Sequence, residues 1–260
     1  MALVNYELRD RTAWITLANP DAGNSFAPAT AEALSEAVRR ADHDQASVLA
    51  LRAEGRFFSV GGDLAGFAEA DNLPDYMNDL ATHAHRIIGD LTRSDMIVVS
   101  VVQGTAAGIG FPLAMAADLV IAADTAAFTL GYTRVGLTGD GGTGLLARSI
   151  GLHRTLRLAL LNDVLTADEA YALGLVARVV PAAELDAQAE KIVSRLVAGS
   201  RGAQAGIKRT VRAAATADLE TQLALEARTM TDATRDPDAL EGVRAFLAKR
   251  SPEFGQHQEP

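Results

Sequence analysis

Apolar and polar positions alternate through residues 3–8 and again through 12–18, on either side of Arg9, Asp10 and Arg11. A period of two is that of a strand with one face buried, so this pattern predicts a hairpin. Asn19, Pro20, Asp21, Gly23 and Asn24 break the alternation, and residues 28–41 then carry alanine and leucine at helical spacing. A strand follows at 47–53. The same rhythm recurs with a long amphipathic helix around 76–91, a β-branched run at 96–102, a glycine-bearing turn, a short helix to Ala117 and a strand at 118–123. Strands separated by crossover helices predict an α/β fold with largely parallel sheets up to about residue 180.

Beyond the apolar run 176–180 the period changes. Pro181 opens a helical stretch at 182–198, and further helices are expected at 203–215, 218–234 and 237–249. Thr166 and Glu169 have the spacing of a capping box and mark a helix start. The chain thus divides into a core, 1–180, and a helical region, 181–260. The late helices are too few to enclose a core, so their apolar faces must pack on the body or on another subunit.

Composition narrows the classes of function. A net charge of −9 argues against a surface that tracks nucleic-acid phosphates. The chain has no cysteine, which removes disulfides, thiolate nucleophiles and thiolate metal sites and makes a reducing cytoplasm the expected location. No apolar run approaches the roughly 20 residues that span a bilayer, so no membrane partner is expected.

Two segments place flexible backbone directly after a strand: RFFSVGGDL at 56–64 and GTAAGIGFP at 104–112. Glycine there lets main chain approach a ligand, and a helix start offers amides without internal partners. Either turn alone reads as ordinary packing. Facing each other, they would form an oxyanion hole.

In order, spacing and flanking residues the pair resembles the crotonase (enoyl-CoA hydratase/isomerase) family, and the segments 135–143, 165–176 and 241–250 extend the resemblance over nearly the whole chain. It implies a spiral of ββα units, a helical C-terminal region that forms trimers or dimers of trimers, and an acyl-CoA thioester as ligand. Coenzyme A would be part of the substrate, with no separate cofactor and no metal. By position, the amides of Gly62 and Ile109 would polarise the thioester carbonyl, and Val60, Gly61, Leu64, Gly108, Pro112, Tyr132, Leu137 and Lys249 would line the substrate site, Lys249 or Arg250 reaching coenzyme A phosphates of a neighbouring subunit. An exposed helix-end cation is the alternative for Lys249.

The sequence departs from the hydratases at both of their glutamate positions, which are Pro112 and Tyr132 here. Hydration needs one group to activate water and another to protonate carbon. Neither side chain suits that work at neutral pH. Asp140, in the glycine-rich stretch 136–143, falls where certain isomerases and aryl-CoA dehalogenases of the family place an aspartate, and an apolar pocket from Leu130, Val135 and Leu137 would raise its pKa. Asp140 as a helix cap or Asx turn is the alternative. The expected function is therefore a double-bond shift in an enoyl-CoA, with a relocated-acid hydratase or thioester hydrolase, or a silent acyl-CoA binder, as the competing readings. His83 and His85, two apart on a helix, are expected to be solvated or packing residues, and Asp63 to support its loop.

Overall fold

The computed structural model describes residues 2–255. The hairpin of β1 (Val4–Arg9) and β2 (Thr12–Leu17) turns through Asp10 and Arg11, both at positive φ (48° and 59°), the two-residue turn whose twist matches that of the strands. After it run α1 (Pro28–His43), β3 (Val48–Ala53), β4 (Phe57–Ser59), α2 (Leu64–Glu69), α3 (Leu73–Arg93), β5 (Ile97–Val102), β6 (Thr105–Ala107), α4 (Gly110–Met115), β7 (Leu119–Ala123) and β8 (Ala127–Thr129). Then come α5 (Thr143–Ile150), α6 (Leu152–Leu161), β9 (Leu165–Thr166), α7 (Ala167–Ala172), β10 (Arg178–Val180), α8 (Leu185–Val197), α9 (Arg201–Ala213), α10 (Leu219–Ala233) and α11 (Pro237–Leu247).

Successive long strands enter one six-stranded sheet in the order β1-β2-β3-β5-β7-β10, parallel from β2 onward. The short strands that follow β3, β5 and β7, together with β9, form a second sheet, β4-β6-β8-β9. The chain therefore winds as a spiral of strand, strand and helix, with each turn adding one strand to each layer.

The hairpin differs from expectation in one respect: β2 is buried along its whole length, not on one face. Its neighbour explains this. Ala13, Ile15 and Leu17 join the main core between the sheets and the helices α1 and α3, while Trp14 faces the opposite way with Val48, Ala50, Val99, Val101 and Ile121. That second face is covered by Leu185, Ala189 and Val193 of α8. A parallel sheet must be covered on both sides, which gives its strands near-continuous apolar runs. The strands stop at Val180, yet α8 completes their packing.

The helix α9 is fastened to the body through buried charge. Lys208 Nζ donates to the carbonyls of Leu91 (2.9 Å) and Met96 (2.7 Å) and lies 2.9 Å from Asp118 Oδ2, while Arg212 pairs with the other oxygen of Asp118 at 2.6 Å. Burial pushes the Lys208 ammonium pKa down, and Asp118 opposes that shift. Among the described residues no helix is long and apolar enough to cross a membrane.

Candidate active site

The segment 59–63 is held from below by a buried asparagine. Asn24, at φ 54°, donates to the carbonyls of Glu54 and Phe57 (2.9 and 2.8 Å), and the Ser59 hydroxyl donates to the Asn24 carbonyl at 2.8 Å. The Ser59 oxygen in turn accepts from Gly61 N–H at 3.2 Å. On the other side Phe26 N–H donates to the Gly61 carbonyl at 2.7 Å and Asp63 N–H to the Phe26 carbonyl at 3.4 Å. These bonds bracket Gly62 without using its own amide.

The second segment is fixed by β6 and β8, with Ala106 beside Phe128 and Ala107 beside Thr129, and Gly108 N–H donating to the Thr129 carbonyl at 3.1 Å. Here the α4 start takes over: Phe111 N–H bonds back to the Gly108 carbonyl and Leu113 N–H to that of Ile109. Ile109 N–H has no place in that pattern, as expected for a residue at a helix N-terminus. Among the described residues neither Gly62 N–H nor Ile109 N–H has a hydrogen-bond partner.

The two turns meet. Gly61 and Gly108 both have positive φ (97° and 52°), and a Cβ on Gly61 would lie 3.0 Å from the Ala107 carbonyl oxygen and 3.2 Å from Gly108 Cα. A Cβ on Gly108 would lie 3.9 Å from Gly62 N. Only glycine permits backbones this close in these conformations. Both free amides belong to residues lining one cavity of about 490 Å³.

That cavity gathers most of the residues expected at the site. Val60, Gly62, Leu64, Gly108, Ile109, Tyr132, Leu137 and Asp140 line it, as do Leu130 and Val135. Gly61 lies just behind, in the contact between the turns. Pro112 does not line it: the ring is buried inside α4, among core residues. Lys249 does not line it either, being exposed beyond α11 at a φ of 53°. Asp63 also stays outside the lining, near Gly66 and the Tyr76 hydroxyl, and helps raise the Tyr76 pKa, chiefly raised by burial.

Helix α3 supplies a wall that the sequence pattern did not assign to the site: Met77, Asn78, Ala81 and Ala84. One turn beyond Ala81, on the same face, stands His85. Its Nε2 lies 2.5 Å from Asp140 Oδ1, so His85 is neither a free surface residue nor a packing one. The spacing 78, 81, 85 puts these residues on one helical face, the one feature of the sequence that joins His85 to the wall. His83 is partly buried, and its Nδ1 has no partner among the described residues.

Asp140 does not cap α5. The cap position is Gly142, and no side chain bonds there. The carboxylate instead faces His85, while the Asp140 carbonyl accepts from the Tyr132 hydroxyl at 3.2 Å. Burial raises the Tyr132 pKa well above the usual phenol range, and the Asp140 charge adds to that. Tyr132 is thus a hydrogen-bond donor that keeps its proton.

A sequence profile of the enoyl-CoA hydratase/isomerase proteins matches residues 7–258. The chain is 36% identical, over 96% of its length and 97% of the relative's, to a Rhodobacter capsulatus protein described as "Probable enoyl-CoA hydratase". It is 35% identical to the 1,2-epoxyphenylacetyl-CoA isomerase of Escherichia coli, covering 92% of this chain and 93% of that one. The solved enoyl-CoA hydratase of Mycobacterium smegmatis superposes with a TM-score of 0.92 at 31% identity, covering 97% and 99% of the two chains. The chain belongs to the enoyl-CoA hydratase/isomerase family. As a member of this family of acyl-CoA enzymes, it carries the crotonase fold, with the four helices α8 to α11 following one another at the C-terminal end of the described residues.

Proposed function

We propose that the protein shifts the double bond of an enoyl-CoA thioester, with Asp140 as the proton shuttle. The observation that carries this reading is that Asp140 is the single carboxylate among the residues lining the cavity that holds both free amides. The thioester oxygen accepts from Gly62 and Ile109 N–H. Removal of a C2 proton by the Asp140 carboxylate sends the electron pair into a dienolate, and each amide is worth about 3 kcal/mol against the charge that develops on oxygen. Return of the proton to C4 completes the shift and restores the carboxylate. The change is redox-neutral, so it calls for no electron-carrying cofactor, and coenzyme A leaves as part of the product.

Hydration is disfavoured because the two hydratase acid positions hold a buried proline and a phenol whose pKa is raised. The names of the relatives include both a hydratase and an isomerase, so the choice rests on these residues. The acyl wall is apolar, with Phe67, Met77, Leu80, Ala81 and Ala84. Assembly into trimers or pairs of trimers is supported by apolar side chains left outside on the C-terminal helices, among them Val211 (66% exposed), Met230 (70%) and Phe246 (82%). Light scattering of the purified chain reads that directly.

The test of the reaction incubates 3-enoyl-, 2-enoyl- and dienoyl-CoA esters with the protein in heavy water and follows them by mass spectrometry. Double-bond migration without added water is the expected result, and Asp140→Asn should slow it by about 10²–10⁴-fold. Hydrated product, or an Asn variant as fast as the parent, would remove Asp140 from the role. Tight acyl-CoA binding without any turnover would mark a silent binder.

A further inference from the structure

The contact between His85 and Asp140 has no part in the double-bond shift itself. A shuttle needs only the carboxylate, yet the imidazole lies 2.5 Å from it, closer than an ordinary N–H···O bond. The two side chains also differ in exposure: 59% for His85 and 27% for Asp140. The pair runs from the cavity lining to the solvent. Asp140 is the one ionisable group within ion-pair distance of His85 among the described residues, and Tyr132, on the Asp140 carbonyl, stays protonated.

We propose that His85 is the outlet through which the proton held by Asp140 exchanges with bulk water. This rests on the reading of Asp140 as the base. When the carboxylate takes a proton from carbon, the C–H bond breaks, an O–H bond forms and the electron pair enters the dienolate. At this separation the new acid can pass its proton to Nε2: the O–H bond breaks, an N–H bond forms, and a carboxylate faces an imidazolium. The half-exposed ring trades its protons with water, and the carboxylate is reloaded from the ring. His85 touches no reacting carbon and acts through Asp140, as a positioning residue. The hydrogen delivered to C4 then comes partly from solvent.

The experiment runs the full-length protein on a 3-enoyl-CoA in heavy water, stopped early, and counts deuterium at C4 of the 2-enoyl product. The parent should place solvent deuterium there. His85→Gln keeps an amide that can bond to the carboxylate but cannot relay a proton, and its product should hold at least about threefold less deuterium per turnover, whatever the change in rate. A product with undiminished deuterium from this variant, or a parent product without deuterium, overturns the outlet.

A second readout needs no turnover. In an imidazole NMR spectrum at one fixed pH, Asp140→Asn should move the His85 ring signals, because the carboxylate oxygen 2.5 Å from Nε2 is replaced. Ring signals that ignore this substitution overturn the contact. Failure of the base reading looks different: there Asp140→Asn would go on isomerising, whereas failure of the outlet alone leaves that variant inactive and the deuterium count unchanged in His85→Gln.

Discussion

The floor and the rim of the cavity are built by different means. The floor, residues 59–62 and 107–110, presents main chain to the cavity, and its geometry is held by strands β4, β6 and β8 and by the Asn24 bonds beneath. The rim, residues 132–143 with the face of α3, presents side chains, Tyr132, Asp140 and His85, to which the proposed reaction gives the proton chemistry. A main-chain donor survives replacement of its side chain, which is how Ile109 can stand in a glycine-rich turn and still offer its N–H. Side-chain chemistry has no such protection. On the proposed reading, the contrast would let the main-chain turns keep their role while Pro112 and Tyr132 stand where the resemblance puts the hydratase glutamates.

The sharpest way to break the contrast is to damage the floor without touching any side chain that reacts. Gly61→Ala should lower kcat by about 100-fold or more, because the added Cβ meets the Ala107 carbonyl and Gly108 Cα and drives the two amides apart. Steady-state kinetics on the preferred enoyl-CoA would measure it. A variant at full rate would mean that the amides need not converge.

Floor and rim touch where Gly141, at φ 66°, leaves room for the Ile109 side chain: a Cβ there would fall 1.8 Å from Ile109 Cδ1. Gly141→Ala should cost about 1–3 kcal/mol of stability through strain and overlap. Adding Ile109→Ala should relieve the overlap but not the strained φ, so chemical denaturation of the single and double variants should show a favourable coupling between the two positions. Strict additivity would separate rim from floor.

Smaller effects are expected at Tyr132. Tyr132→Phe removes one hydrogen bond to the Asp140 carbonyl and should slow turnover by about fivefold, in line with about 1 kcal/mol. The sign of its pKa shift gives a companion test. Burial and the Asp140 charge both disfavour the phenolate, so Tyr132 should stay protonated at pH 10, and the absorbance step there should be the same in parent and variant. A smaller step in Tyr132→Phe would place the phenol in water.

The amino-acid sequence determined the local matters: where the long strands and helices run, the capping box at Thr166 and Glu169, the glycines at 61 and 108, and a proline and a tyrosine at 112 and 132. Each is set by periodicity, φ preference or the bonding capacity of one side chain, all of which act over a few residues. The folded chain alone decided that β2 is covered on both faces, that Pro112 turns away from the cavity, and that His85 meets Asp140 from 55 residues away. Such contacts depend on how the spiral stacks one turn upon the next. No local rule joins α3 to the loop before α5; the packing of two distant segments around one cavity does.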